Sequence, residues 1–290
     1  MASILKNTIA SIVVALDKLL VGMHIIKPRI VMYMDGGLCS QMLMWSQGQY
    51  YAAKGFDVYY DLEWFKKFGK GIDGISVRNY ELQILWQNIA VRSLPSWKNA
   101  LYKNFLPWTE NDVYLPKSTQ IDRSVYFKGY YILSPKERIR IYRQFFSIET
   151  AHKNQRMLLE NGKRYCGVHV RRGDLANISI PYYQQVTEGY FLRAIKYVQE
   201  NTAIDEYLLF SEDPQWLREN ILPNVNVKCR IMEGNKGYED LILLAQCQII
   251  ISSQGSFGPT AALLNPNCEL LIRNTKTSDI PYARMELQID

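Results

Sequence analysis

The chain has 290 residues, 48% of them hydrophobic, enough for a large core and for two lobes of ordinary domain size. A net charge of +6 comes from 34 basic residues scattered among 28 acidic ones, with no basic block resembling a nucleic-acid arm, so nucleic acid is set aside as a partner. Five cysteines show no CxxC pair and no histidine at metal spacing, which argues against structural zinc and for a reducing compartment.

Residues 1–28 predict an amphipathic helical extension, because Ile9, Ile12, Val13, Leu16, Leu19 and Leu20 recur at helical spacing. The uncharged run over 7–16 has ten residues, short of the ~20 that span a bilayer, and no small-residue cleavage site follows. The helix is expected to pack on its own protein or on a partner. Peripheral contact with a membrane surface is the sharper alternative.

An apolar run over 29–34, the turn Asp35-Gly36-Gly37-Leu38-Cys39-Ser40-Gln41 and helix formers over 42–54 read as strand, glycine turn and helix, with Ser40 as N-cap. Residues 56–61 alternate as a second strand and complete a βαβ unit, which implies a parallel sheet. Residues 62–150 are expected to hold helices and loops, their aromatics serving as core or as a stacking surface for a sugar. A helix over 138–146 and a turn at Asn161-Gly162-Lys163 put a lobe boundary near 160.

Beyond it the alternation is cleaner. Strands are predicted over 166–170, 206–210, 225–232, 248–251 and, closing the set, 269–272; helices over 182–199, 215–220, 238–246 and 260–264. This is a Rossmann-like lobe without GxGxxG or a P-loop.

The most informative stretch is His169-Val170-Arg171-Arg172-Gly173-Asp174, at the end of an apolar strand. Side chains alternate along a strand, so His169 and Arg171 share a face and Arg172 takes the other; one arginine can meet a ligand while its neighbour braces the loop. Guanidinium groups offer a planar fork of donors suited to a diphosphate. Asp174 can pair with Arg172 or accept backbone N–H bonds. In a parallel sheet the loops after successive strands share one edge, so Arg171, Asp213 and the 252–256 loop are expected at one crevice. Each has a plainer reading as well: Ser211, Glu212 and Asp213 as an N-cap cluster before Pro214, the serine loop as a turn.

Together these residues resemble the α-1,2-fucosyltransferase family, glycosyltransferase family 11, within the wider HxRRxD fucosyltransferases. The likeness covers about residues 29–275. It rests on the hexad at 169–174, Gly36-Gly37-Leu38 with Gln41, Phe210-Ser211-Glu212-Asp213 with Trp216, Tyr238-Glu239-Asp240-Leu241, and the run 249–257 followed by Ala261-Ala262 and Leu264-Asn265-Pro266-Asn267. Two departures stand out. The family commonly has Gly-Asn where this chain has Cys39-Ser40, and paired tryptophans where it has Pro259-Thr260.

The resemblance implies an α/β fold of GT-B type, two Rossmann-like lobes facing a cleft, with 29–160 as the acceptor side and 161–290 binding the GDP-sugar. It implies GDP-fucose as donor, no metal or other cofactor, and inversion at the anomeric carbon. Arg171 would hold the β-phosphate; His169 and Arg172 would line the diphosphate; Glu212 and Asp213 would read guanine. Ser252, Ser253, Ser256 and Phe257 would line the nucleotide pocket, with Gly36, Gly37, Ser40 and Gln41 approaching the donor from the other lobe. Asp35 and Asp174 are the carboxylates considered as base. The acceptor would be an oligosaccharide or lipid-linked glycan, galactose-terminated first, and the protein cytoplasmic, with peripheral contact at the inner membrane. A transferase for another nucleotide sugar and an inert nucleotide-sugar or glycan-binding protein remain open.

Overall fold

The computed structural model describes residues 2–68, 78–109, 123–129, 133–151, 158–172, 186–274 and 285–289. The chain forms two compact units that part between Ile141 and Tyr142, ahead of the boundary expected near 160.

The first unit opens with α1 (Ala2–Gly22), then β1 (Arg29–Tyr33), α2 (Leu38–Ala52) and β2 (Asp57–Asp61), the βαβ unit anticipated. Gly36 takes φ +71, a backbone state that side chains rarely adopt, and this sharp turn lets α2 start at once. Gly37, not Ser40, is the N-cap. The helix begins earlier than polar capping chemistry suggests because Leu38 and Cys39 are already buried. Burial on nearly every side explains why α2 shows no clean apolar stripe.

Next come α3 (Glu63–Phe68), α4 (Leu82–Leu85), α5 (Ser96–Phe105), β3 (Pro107–Thr109) and β4 (Val125–Lys128). The strands form a parallel sheet in the order β2-β1-β4-β3. Helices and loops alone were expected between 62 and 150; β3 and β4 correct this. Both are too short to show a period, and β4 earns its place from a remote partner, β1. The aromatics here serve chiefly as core: Trp86, Tyr102, Tyr126 and Phe127 are buried.

After α6 (Pro135–Phe145) and α7 (Ile148–Ala151), the second unit alternates β5 (Tyr165–Val170), α8 (Glu188–Asn201), β6 (Glu206–Ser211), α9 (Pro214–Asn220), β7 (Cys229–Met232), α10 (Gly237–Leu244), β8 (Ile249–Ser252), α11 (Phe257–Leu264), β9 (Leu270–Arg273) and β10 (Met285–Gln288). All strands run parallel, ordered β10-β9-β8-β5-β6-β7. Sequence patterning stopped at β9. The added β10 is a four-residue edge strand whose pairing with β9, not its own pattern, defines it.

β5 lies at the centre and is buried along its whole length, as a strand covered on both faces must be. On one face Cys166, Val168 and Val170 join Phe191, Ile195 and Val198 of α8 and Leu217 of α9. Each fully buried aliphatic there contributes about 1.5–3 kcal/mol. On the other face a Cβ at Gly167 would sit 2.3 Å from Leu244 Cδ1, so a glycine lets α10 close onto the sheet. No helix among the described residues is long and apolar enough to cross a membrane.

Candidate functional site

The chain leaves β5 towards β6 and β7 on one side, then returns to lay β8, β9 and β10 on the other. The sheet therefore reverses direction between β5 and β8, and in parallel sheets the crevice beyond the strand ends at such a point is where ligands bind. Arg171 follows β5 and Ser253 follows β8, and His169 stands in register with Ser252. The serine loop and the arginine pair meet here. Arg171 N–H donates to Ser253 Oγ at 2.9 Å, and Ser253 N–H donates to the His169 carbonyl at 3.0 Å. Ser252 is buried, its hydroxyl donating to the Ser253 carbonyl at 2.9 Å.

His169 is 7% exposed and its ring stacks on Phe257, the first residue of α11, with centroids 4.7 Å apart and planes 21° apart. Burial, reinforced by the Arg171 charge, lowers its pKa to about 3, so the imidazole is neutral at ordinary pH. Its buried Nδ1 has no hydrogen-bond partner among the described residues. A neutral ring at a cationic strand end suits hydrogen bonding better than proton transfer.

The two arginines diverge. Arg171 Nη1 lies 3.7 Å from Glu212 Oε1, and its side chain passes 3.9 Å from where a Cβ on Gly255 would stand. Gly255 has φ +105, a backbone state that side chains rarely adopt, which lets the serine loop turn beside Arg171. Arg172 turns towards α9, its guanidinium carbon 4.5 Å from the Trp216 ring centre and its Nε 3.5 Å from Asp213 Oδ2. That nitrogen is close enough to pair with the carboxylate but makes no hydrogen bond. Arg172 N–H donates to Glu212 Oε2 at 3.3 Å.

Asp213 is the N-cap of α9: its Oδ1 accepts from Trp216 N–H at 3.1 Å, the plainer of the two sequence readings. Glu212 and Asp213 thus stand beside the arginine pair, one carboxylate to each guanidinium. A third carboxyl adjoins them. Asp240 on α10 accepts from the Asn235 side chain at 2.9 Å, and its pKa is pushed up to about 6 by burial, with the charges of Glu239 and Glu212 adding to it. The Tyr238–Leu241 motif contained Asp240, but nothing local signalled that it would be half-buried and feel the charge of Glu212.

Ser256 is exposed, caps α11 with its backbone and makes no side-chain cap bond, so its hydroxyl and the α11 N-terminus face outward together. Pro259 and Thr260 are buried inside α11. Gly173 and Asp174 lie outside the described residues.

The first-unit candidates gather at the end of β1. Gln41 is fully buried and spends its side chain on four backbone partners: Nε2 donates to Gly36 O at 3.2 Å and Asn79 O at 2.8 Å, while Oε1 accepts from Glu81 N at 2.9 Å and Leu82 N at 3.2 Å. It holds the glycine turn against the 79–82 segment. Asp35, Gly36, Gly37 and Ser40 are half-buried around that turn. Burial, with the charges of Asp35 and Asp61, raises the neighbouring Tyr33 hydroxyl to about 12.

Two α/β units, each on a parallel sheet and one with an arginine pair at its switch point, make up the described architecture. The sequence model of glycosyl transferase family 11 matches residues 71–288, and the chain belongs to this family. It is 30% identical over 144 residues to galactoside alpha-(1,2)-fucosyltransferase 2 of Bos taurus, covering 47% of this chain and 42% of that protein. It is 31% identical over 142 residues to the same-named protein of Oryctolagus cuniculus, covering 46% and 40%. The chain thus spans less than half the length of the curated relatives it matches. Among solved structures it resembles NodZ alpha-1,6-fucosyltransferase soaked with GDP-fucose, at TM-score 0.48 and 12% identity, over 83% of this chain and 94% of that one. It also resembles POFUT1 in complex with GDP, at TM-score 0.39 and 11% identity, over 90% and 98%.

Proposed function

We propose that this protein transfers fucose from GDP-fucose to a hydroxyl of a glycan acceptor, O-2 of a galactose first, with inversion at the anomeric carbon. The observation that carries the reading is Arg171 at the switch point, its backbone tied to Ser253 and its guanidinium 3.7 Å from a half-exposed Glu212. Family membership and the names of the α-1,2-fucosyltransferase relatives support the donor and the linkage.

The chemistry follows from the leaving group. The acceptor oxygen attacks the sugar C1 opposite the diphosphate; the C1–O bond to the β-phosphate breaks; the acceptor proton passes to a base. Charge collects on the departing GDP, and a fixed cation beside it stabilises the transition state more than the ground state. Arg171 supplies that cation without a metal. His169, neutral beside Arg171, hydrogen-bonds the nucleotide or its diphosphate. Glu212 gives up Arg171 as the diphosphate enters and, with Asp213, faces the guanine edge. Ser252, Ser253, Ser256 and Phe257 form the pocket wall and Arg172 braces it; Gln41, fully buried and spent on four backbone partners, holds the first unit's glycine turn and does not reach a donor. Asp35 and Asp174 are the carboxylates assigned for trial as base.

The test is a thermal shift with GDP and UDP, followed by a donor-by-acceptor screen with linkage analysis. GDP stabilises and UDP does not, and Arg171→Ala lowers turnover by about 10²–10³-fold with the melting temperature preserved. Near-normal turnover in Arg171→Ala, or binding of GDP-fucose without transfer to any acceptor, overturns the proposal.

A further inference from the structure

We propose that the outward face of α1 pairs with the same helix of a second copy of this chain. Leu5, Ile9, Ile12, Leu16, Leu19 and Met23 are 63%, 40%, 61%, 53%, 57% and 59% exposed. Their spacings alternate four and three residues, the 3.5-residue repeat of a helix seam that faces another helix.

The rotation of α1 is fixed by its opposite side. Asp17 is buried and accepts from Ser124 N–H at 2.6 Å, and Ser124 Oγ in turn accepts from Arg29 N–H at 3.0 Å. Val14 packs with Val31, Tyr102, Leu106 and Tyr126. A carboxylate one turn from a packed valine cannot swing out without leaving buried polar groups unpaired, so the seam stays outward.

Area and charge choose the occupant. On the order of 600 Å² lies on the six seam side chains, and two copies joined through it bury about 1,200 Å², the lower bound of stable interfaces. One patch of that size is at the upper end of the roughly 300–600 Å² that single chains leave in water. Beside the seam, exposed Thr8, Ala15 and Gly22 stand seven residues apart and let a second backbone approach. The polar face carries Asn7, Ser11 and Lys18, and the helix has two lysines in all, Lys6 and Lys18, few for a helix built to lie on an anionic bilayer. A self-complementary patch closes as a two-fold dimer.

The experiment is sedimentation equilibrium of the full chain over about 1–100 µM, with Leu16→Glu and the milder Leu16→Ala, and flotation with vesicles of phosphatidylglycerol and phosphatidylcholine. The wild type sediments as a dimer. Leu16→Glu is monomeric with an unchanged melting temperature, and Leu16→Ala raises the dissociation constant about tenfold or more. A monomeric wild type, a dimer that persists in Leu16→Glu, or a monomer that floats with vesicles through this face overturns the proposal.

Discussion

The backbone N–H of Arg171 donates to the Ser253 hydroxyl across the seam between β5 and β8, at 2.9 Å. These residues are far apart in the chain, and the bond joins the arginine pair to the serine loop at the point where the sheet reverses. It sets where the Arg171 side chain begins, and so where its charge stands before any donor arrives.

Ser253→Ala removes that acceptor. The part-buried N–H loses its partner, which costs about 1 kcal/mol of stability, and the loosened Arg171 lowers turnover roughly tenfold. Denaturant unfolding and steady-state kinetics on one preparation check both; unchanged turnover separates this bond from the positioning of Arg171.

His169→Phe tests the neutral imidazole while keeping a ring against Phe257. In the wild type the unfolded chain takes up a proton near the ordinary value of 6.5 that the folded chain refuses until about 3. Stability from this group is therefore full above pH 6.5 and is lost as pH falls through that window, at about 1.4 kcal/mol per unit. Urea unfolding at pH 7 and pH 5 shows a smaller acid loss in the variant than in the wild type. Equal losses count against a buried neutral histidine.

Asp240→Asn has the opposite pH signature. With its pKa raised from 3.8 to about 6, the native carboxyl contributes stability when protonated, fully below pH 3.8, and that contribution disappears as pH rises through 6. The variant keeps an oxygen for Asn235 and carries no charge, so its stability relative to wild type increases from pH 5 to pH 8. Melting temperatures at the two pH values measure this.

Gly258→Ala sets two magnitudes against each other. Alanine gains about 0.5–1 kcal/mol of helix preference, but its Cβ would stand 2.2 Å from Ser252 Oγ and 2.4 Å from Ser252 Cβ. Moving α11 off β8 costs about 1–3 kcal/mol, so the variant is less stable and binds GDP more weakly because Phe257 and Ser256 move with the helix. Calorimetric titration with GDP reads the second effect; a stabilised variant with wild-type affinity shows that α11 can shift freely.

The arginine hexad at the end of a buried strand, the alternation of strands and helices in the second half, and the glycine turn after β1 were legible in the sequence. Apolar runs such as Ile249-Ile250-Ile251 and the glycine pair carry their physical meaning within a few residues. The short strands β3, β4 and β10 were not legible, because neighbours distant in sequence make them strands. Ser40 looked like a cap only until burial of Leu38 moved the helix start to Gly37. Gln41 shows no local sign of its four backbone partners, whereas the capping role of Asp213 was legible from its place just before Pro214.

Residue chemistry by itself determined that this strand ends in a cationic pair with its two side chains on opposite faces, since guanidinium charge and strand alternation are local properties. Only the tertiary structure decided which arginine stays near the mouth and which is stacked on Trp216, that His169 is neutral, and that α1 turns its leucines and isoleucines outward. Those outcomes depend on burial and on contacts between distant segments, and a residue's neighbours in sequence do not specify how much water it will lose.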